Sequence, residues 1–240
     1  MEKEEHAHDS SRKRRIYSCQ DNSGLNSFMG NGKHGHEHFK ICVSGAAQTD
    51  HCGLEVYELG KEIGREIACH DMVLTTGATS GFPLYAAMGV KERCGFSVGF
   101  SPASTEREHV SVYELPLDYM DLIVYTGFGF PGRDLLLTRS SDAVIVGCGR
   151  IGTFHEFMIA FEDKKPIGVL EGSWQTDELL NSIIDASNRP NPKIVFDSDP
   201  KALVERILEL VRKDKKEINL MYDNHDGISG SHAKEGELIL

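Results

Sequence analysis

Short apolar runs alternate with longer stretches in which apolar and polar residues recur at helical spacing. The runs are ICVS (41–44), MVLTT (72–76), FSVGF (96–100), LIVYT (122–126), AVIVG (143–147), IGVL (167–170) and KIVF (193–196). They are continuous, not alternating, so each reads as a strand buried on both faces, as strands of a parallel sheet are. The stretches between them predict helices over 53–70, 83–94, 132–141, 152–164, 176–188 and 200–216. In the last, Ala202, Leu203, Ile207, Leu210 and Val211 share one stripe, with Asp199 as N-cap and Pro200 in the first helical position. Strands and helices in this alternation predict an α/β fold, a Rossmann-like doubly wound, mainly parallel sheet of about seven strands.

The ends of the chain lack this pattern. Residues 1–39 carry Ser, Asn, Gly, His and a basic run from Arg12 to Arg15 without apolar periodicity, and read as a disordered N-terminal extension. Residues 217–240 read as a flexible acidic tail. One domain over 40–216 remains. No apolar run approaches the roughly 18–20 residues of a membrane span and no secretory signal opens the chain, so the expected address is cytoplasmic, without membrane contact.

Charge and cysteine content narrow the chemistry. The formal net charge is −11, which repels a phosphate backbone and argues against nucleic acid as a partner. Cys19, Cys42, Cys52, Cys69, Cys94 and Cys148 form no CxxC pair, so buried thiols are expected in preference to disulfides or a zinc site. The histidines of HGHEH (34–38), with His6 and His8, have the composition of a metal-binding tract, but a segment without fixed geometry reads first as a solvated tail. No metal site and no resident cofactor are expected.

In a doubly wound sheet, ligands bind beyond the carboxyl ends of the strands. Four strand-to-helix loops are rich in small residues: SGA (44–46), TGATSG (76–81), TGFGFPGR (126–133) and GCGRIGT (147–153). Glycines at such turns let backbone NH groups approach an anion, and the following helix N-terminus favours negative charge, although tight turns use glycine in any case. Four such loops at one sheet edge point to a phosphate-bearing small molecule. Ser44, Gly45, Gly77, Gly81, Gly149, Arg150, Gly152 and Thr153 are the candidate ligand-binding residues. No GxGxxG opens the first unit and no GK[ST] occurs, which sets aside ordinary dinucleotide dehydrogenases and P-loop ATPases.

GRIGTFHE (149–156) follows a buried strand, and Arg133 stands 23 positions upstream of Glu156 (156 − 133). This arrangement resembles the LOG family of Rossmann-like proteins, often labelled possible lysine decarboxylases, whose motif is PGGxGTxxE with an upstream Arg at the same separation. The resemblance extends over about residues 40–214, since TTGATSGFPLYAAM (75–88) is similar to the family's Gly-rich loop and SDA (141–143) to its link into the strand. It implies a phosphoribohydrolase that cuts the N-glycosidic bond of nucleoside 5'-monophosphates, with Arg133 and Glu156 as the catalytic pair. It equally admits a non-catalytic carrier, as in relatives that carry molybdenum cofactor. Oligomers are usual in the family, so a homo-oligomer is expected. The chain departs from the motif at Cys148, Arg150 and Asp134, the last replacing a Lys and standing where it can pair with Arg133. The decarboxylase label has no support, because none of the four loops holds a Lys for a Schiff base.

Overall fold

The computed structural model describes residues 38–189 and 191–232. The proposed N-terminal extension lies outside them except for His38 and Phe39. Within them the chain runs β1 (Lys40–Ser44), α1 (Val56–Cys69), β2 (Val73–Thr76), α2 (Phe82–Glu92), β3 (Ser97–Ser101), α3 (Glu106–Ser111), β4 (Leu122–Tyr125), α4 (Gly129–Ser140), β5 (Ala143–Val146), α5 (Ile151–Glu162), β6 (Ile167–Leu170), α6 (Thr176–Ser187), β7 (Ile194–Asp197) and α7 (Pro200–His232). The strands form one sheet in the order β4-β3-β2-β1-β5-β6-β7, and every pairing is parallel.

Sheet alternation divides the core into two. Ile41, Val43 and Ile145 point to one face, where they meet Ile63, Ile67, Phe82, Leu203 and Ile207. Cys42, Val144 and Val146 point to the other, against Leu137, Phe157, Ala160 and Leu180. The central strands are covered on both faces, which explains their continuously apolar sequences, whereas edge strand β4 is not buried on both faces as its run suggested: Leu122 and Val124 are exposed.

Two elements differ from the sequence reading. Helix α3 was not foreseen, because its six residues are too few for an apolar stripe; its signal was the T-x-x-E pattern of Thr105 and Glu108. Thr105 Oγ1 accepts the Glu108 NH at 3.2 Å, and Glu108 Oε2 accepts the Ser104 NH at 2.8 Å. Helix α7 does not stop near Lys216. It runs on to His232 through the segment read as a flexible tail: no glycine or proline occurs between 201 and 226, and Gly227 and Gly230 do not end it. Its start is as read: Asp199 Oδ1 accepts the Lys201 NH at 2.9 Å.

The sheet order fixes where a ligand can bind. After β1 the chain moves outward to β4, then returns to lay β5 against the other side of β1, so the loops after β1 and β5 diverge and leave a crevice. No helix among the described residues is long and apolar enough to cross a membrane.

Candidate functional site

The crevice opens into a cavity of about 280 Å³, lined by Gly45 to Gln48 of the β1 loop, Gly77 and Thr79 of the β2 loop, Phe130, Arg133 and Asp134 of α4, and Arg150, Gly152, Thr153 and Glu156 at the start of α5. That volume lies near the lower end of small-molecule sites. Seven sequence-selected residues therefore converge there: Gly45, Gly77, Arg133, Arg150, Gly152, Thr153 and Glu156.

Arg133 and Glu156 come together because α4, packed on β1 and β3, lies beside α5, packed on β5 and β6, and each residue stands in the amino-terminal half of its helix. Both side chains belong to residues almost fully buried, at 6% and 7% exposure. Glu156 accepts a hydrogen bond from Ser44 Oγ at the end of β1, so Ser44 orients the carboxyl from beneath the cavity. Arg133 is held from several sides. Its Nε makes a 2.9 Å charge contact with Asp134 Oδ1, and its guanidinium lies 5.6 Å from the centre of the Phe130 ring. Gly77 leaves the space it occupies: a Cβ there would sit 1.5 Å from Arg133 Nη1.

Asp134 also joins His155, whose Nδ1 is 2.8 Å from Oδ2. His155 thus pairs with the Asp134 carboxylate, is not among the cavity's lining residues and does not share the face of Glu156. Burial raises the Glu156 pKa to about 7; Arg133 opposes the shift, Asp134 adds to it, and the Ser44 hydrogen bond opposes it. With its proton on, the cavity holds two guanidiniums, Arg133 and Arg150, against the carboxylate of Asp134. In a chain of net charge −11 this is a local cationic pocket.

Ser44, Gly81 and Gly149 shape the site without lining it. Gly81 has φ +71°, and a Cβ there would lie 2.2 Å from Ala46 O, so it lets the β1 and β2 loops touch. The Gly149 NH is bound by Thr176 Oγ1 at 2.9 Å, so this amide is not offered to a ligand. Gly45 has a packing reason besides any ligand, since a Cβ would lie 2.6 Å from the Phe82 ring. The TGFGFPGR loop reaches the cavity only through its helical end, because β4 is the edge strand, three places from β1. Sequence reasoning missed Gln48, Thr79 and Phe130, polar and aromatic lining residues that carry no spacing signal.

Arg150 lies across the β1 loop, with Nη1 3.2 Å from Gln48 Oε1 and Nη2 3.3 Å from His51 Nδ1. Directly behind it, the expectation of buried thiols fails: Cys52 and Cys148 form a disulfide, Cys94 is likewise disulfide-bonded, and Cys69 is free but exposed. The 96-residue separation hid the pair. The loops after β1 and β5 become neighbours only when those strands pair. Cys42 is a buried free thiol.

A family sequence model matches residues 38–204 and is that of the SLOG cluster4 family. The chain belongs to this family. The resemblance to LOG-like proteins is thereby borne out over these residues. Among SLOG-like folds, the molybdenum cofactor binding protein of Rippkaea orientalis is 26% identical, with 74% of this chain and 98% of that one covered at a TM-score of 0.59. The molybdenum cofactor carrier protein of Chlamydomonas reinhardtii is likewise 26% identical, covering 73% and 99%, at a TM-score of 0.58. An uncharacterized protein of Archaeoglobus fulgidus is 28% identical over 132 residues, 55% of this chain and 82% of that protein.

Proposed function

We propose that the cavity binds a phosphate-bearing, nucleotide-like small molecule and that Arg133 and Glu156 act in cleaving the N-glycosidic bond of a nucleoside 5'-monophosphate. The observation that carries this reading is a buried carboxyl beside a guanidinium at the sheet's switch point. Loss of the base develops oxocarbenium character on the ribose, which the ionised Glu156 stabilises while orienting the attacking water. Arg133 clamps phosphate or ribose oxygens, and Arg150 and the free NH groups at the start of α5 lie within the same lining.

A second reading, a carrier that binds without turnover, is favoured by Asp134: its contact with Arg133 draws the guanidinium toward the protein. The molybdenum cofactor proteins of similar fold support it as well. Incubation with a panel of nucleoside 5'-monophosphates separates the two. Free base and ribose 5-phosphate are the expected products; thermal stabilisation by a ligand with no product would leave the carrier reading.

Gly77→Ala tests the binding geometry shared by both. The new methyl displaces the Arg133 guanidinium, and loss of one charge-assisted contact of ~1.5–3 kcal/mol weakens nucleotide binding by roughly tenfold to a hundredfold in a calorimetric titration. Unchanged affinity would remove Arg133 from the ligand.

The self-association expectation also stands as a proposal. Edge strand β4 exposes Leu122 and Val124, and α4 exposes Leu135 and Leu136, with Phe128 at its start 70% exposed. An apolar surface of this kind fits a second copy of the chain. Light scattering at micromolar concentration is expected to give a multiple of the chain mass, and a monomer mass would reject the proposal.

A further inference from the structure

The disulfide between Cys52 and Cys148 lies against a third donor. His51 Nε2 is 3.5 Å from Cys148 Sγ and 3.7 Å from Cys52 Sγ, and the ligand atoms of the three residues all lie within 4.8 Å of one another. In a tetrahedral zinc site, bonds of about 2.3 Å to sulfur and 2.0–2.1 Å to nitrogen place S and N about 3.5–3.6 Å apart. The imidazole already stands at that spacing from both sulfurs. Two thiolates at the same metal stand about 3.8 Å apart, on the same bond lengths. With the Cα atoms 5.7 Å apart, side-chain rotation of the reduced cysteines reaches that separation.

We propose that His51, Cys52 and Cys148 form a binding site for a zinc-class divalent cation at the rim of the cavity, and that the disulfide is the oxidised, metal-free state of that site. Two thiolates and one imidazole are a soft donor set that selects zinc over magnesium or calcium, and the cluster contains no carboxylate. Both cysteines are fully buried while His51 is exposed, so water reaches the metal past the imidazole and completes the tetrahedron.

The site is braced by its backbone. The Cys52 NH donates to Thr49 O at 2.9 Å, and Cys148 O accepts the Ala46 NH at 2.8 Å, which ties the β1 loop to the β5 loop. Loading follows two balanced steps. A dithiol reductant gives two electrons and two protons to the disulfide and is itself oxidised to a disulfide, leaving two thiols. The cation then displaces both thiol protons to solvent and takes a lone pair from neutral His51.

His51 must change its hydrogen bonding as it does so. Arg150 can only donate, so with the disulfide formed, His51 Nδ1 is the acceptor and the ring proton sits on Nε2. Ligation through Nε2 moves that proton to Nδ1, which ends the contact with Arg150 and leaves its guanidinium held by Gln48.

The test uses the full chain, reduced with a dithiol under anaerobic conditions and freed of reductant, then titrated with cobalt(II) followed by zinc(II). The expected result is a thiolate-to-cobalt charge-transfer band with the intense visible bands of a tetrahedral ion, saturating at one cobalt per chain and abolished by zinc, with roughly two protons released per metal. The histidines of 34–38 can hold cobalt but cannot give a thiolate band. Cys148→Ser is expected to remove most of the charge-transfer intensity. His51→Ala, on an exposed side chain, keeps the fold and weakens cobalt binding by about tenfold or more. A reduced protein whose thiols titrate fully but give no thiolate band would overturn the proposal, as would a band that persists unchanged in Cys148→Ser or a His51→Ala variant with unaltered affinity.

Discussion

Glu156→Gln is expected to abolish release of base from nucleoside 5'-monophosphates, by roughly a hundredfold to ten-thousandfold in kcat, while the ligand still binds. The amide keeps the volume and can still accept from Ser44, but it cannot carry the charge that answers an oxocarbenium ion. In the parent protein the ionised form is populated only as pH rises through about 7, so turnover is expected to climb over that range. A variant with full activity would refute the role of Glu156.

The same substitution has an opposite effect on stability. The Glu156 carboxyl titrates near 7 in the fold against an ordinary value of 4.5. Between those two values the folded chain retains a proton that the unfolded chain has given up, so stability falls as pH rises through this window, and the full cost is present above about 7. Gln never incurs that cost. Glu156→Gln is therefore expected to be more stable than the parent at pH 8, on the order of 3 kcal/mol, with the difference gone below the ordinary carboxylate range. Urea unfolding at pH 4 and pH 8 measures it, and equal midpoints at pH 8 would show that the buried charge is fully compensated.

Gly64→Val is expected to cost about 3 kcal/mol or more and to lower the Tm by on the order of 10 °C. Helices α1 and α2 cross with almost no space between their backbones. A Cβ on Gly64 would lie 1.9 Å from Ala86 O, and one on Gly89 the same distance from Lys61 O, so no side-chain rotation relieves the clash. The helices must separate, and both carry cavity loops at their amino ends. Gly152→Ala is the control, since nothing lies within 4 Å of a Cβ there and its stability is expected to be nearly unchanged. Thermal melts of the two variants decide the matter; a Gly64→Val protein as stable as the control would mean that the close crossing is not needed.

By itself the sequence determined the seven strands, six of the helices and the fold class, because a parallel sheet covered on both faces writes itself into the chain as continuous apolar runs. It also singled out Arg133 and Glu156, near the starts of two helices, and the fold brings both into the lining of one cavity. What it could not contain was anything that depends on which strands become neighbours. Cys52 and Cys148 look solitary until β1 pairs with β5. Gly77 looks like a phosphate turn until Arg133 from α4 is found filling the space above it. Gly149 looks like an open amide until Thr176 from α6 closes it. These contacts join loops or helices that follow different strands of the sheet, so they are decided by strand order, a property of the assembled sheet that no local run of residues records.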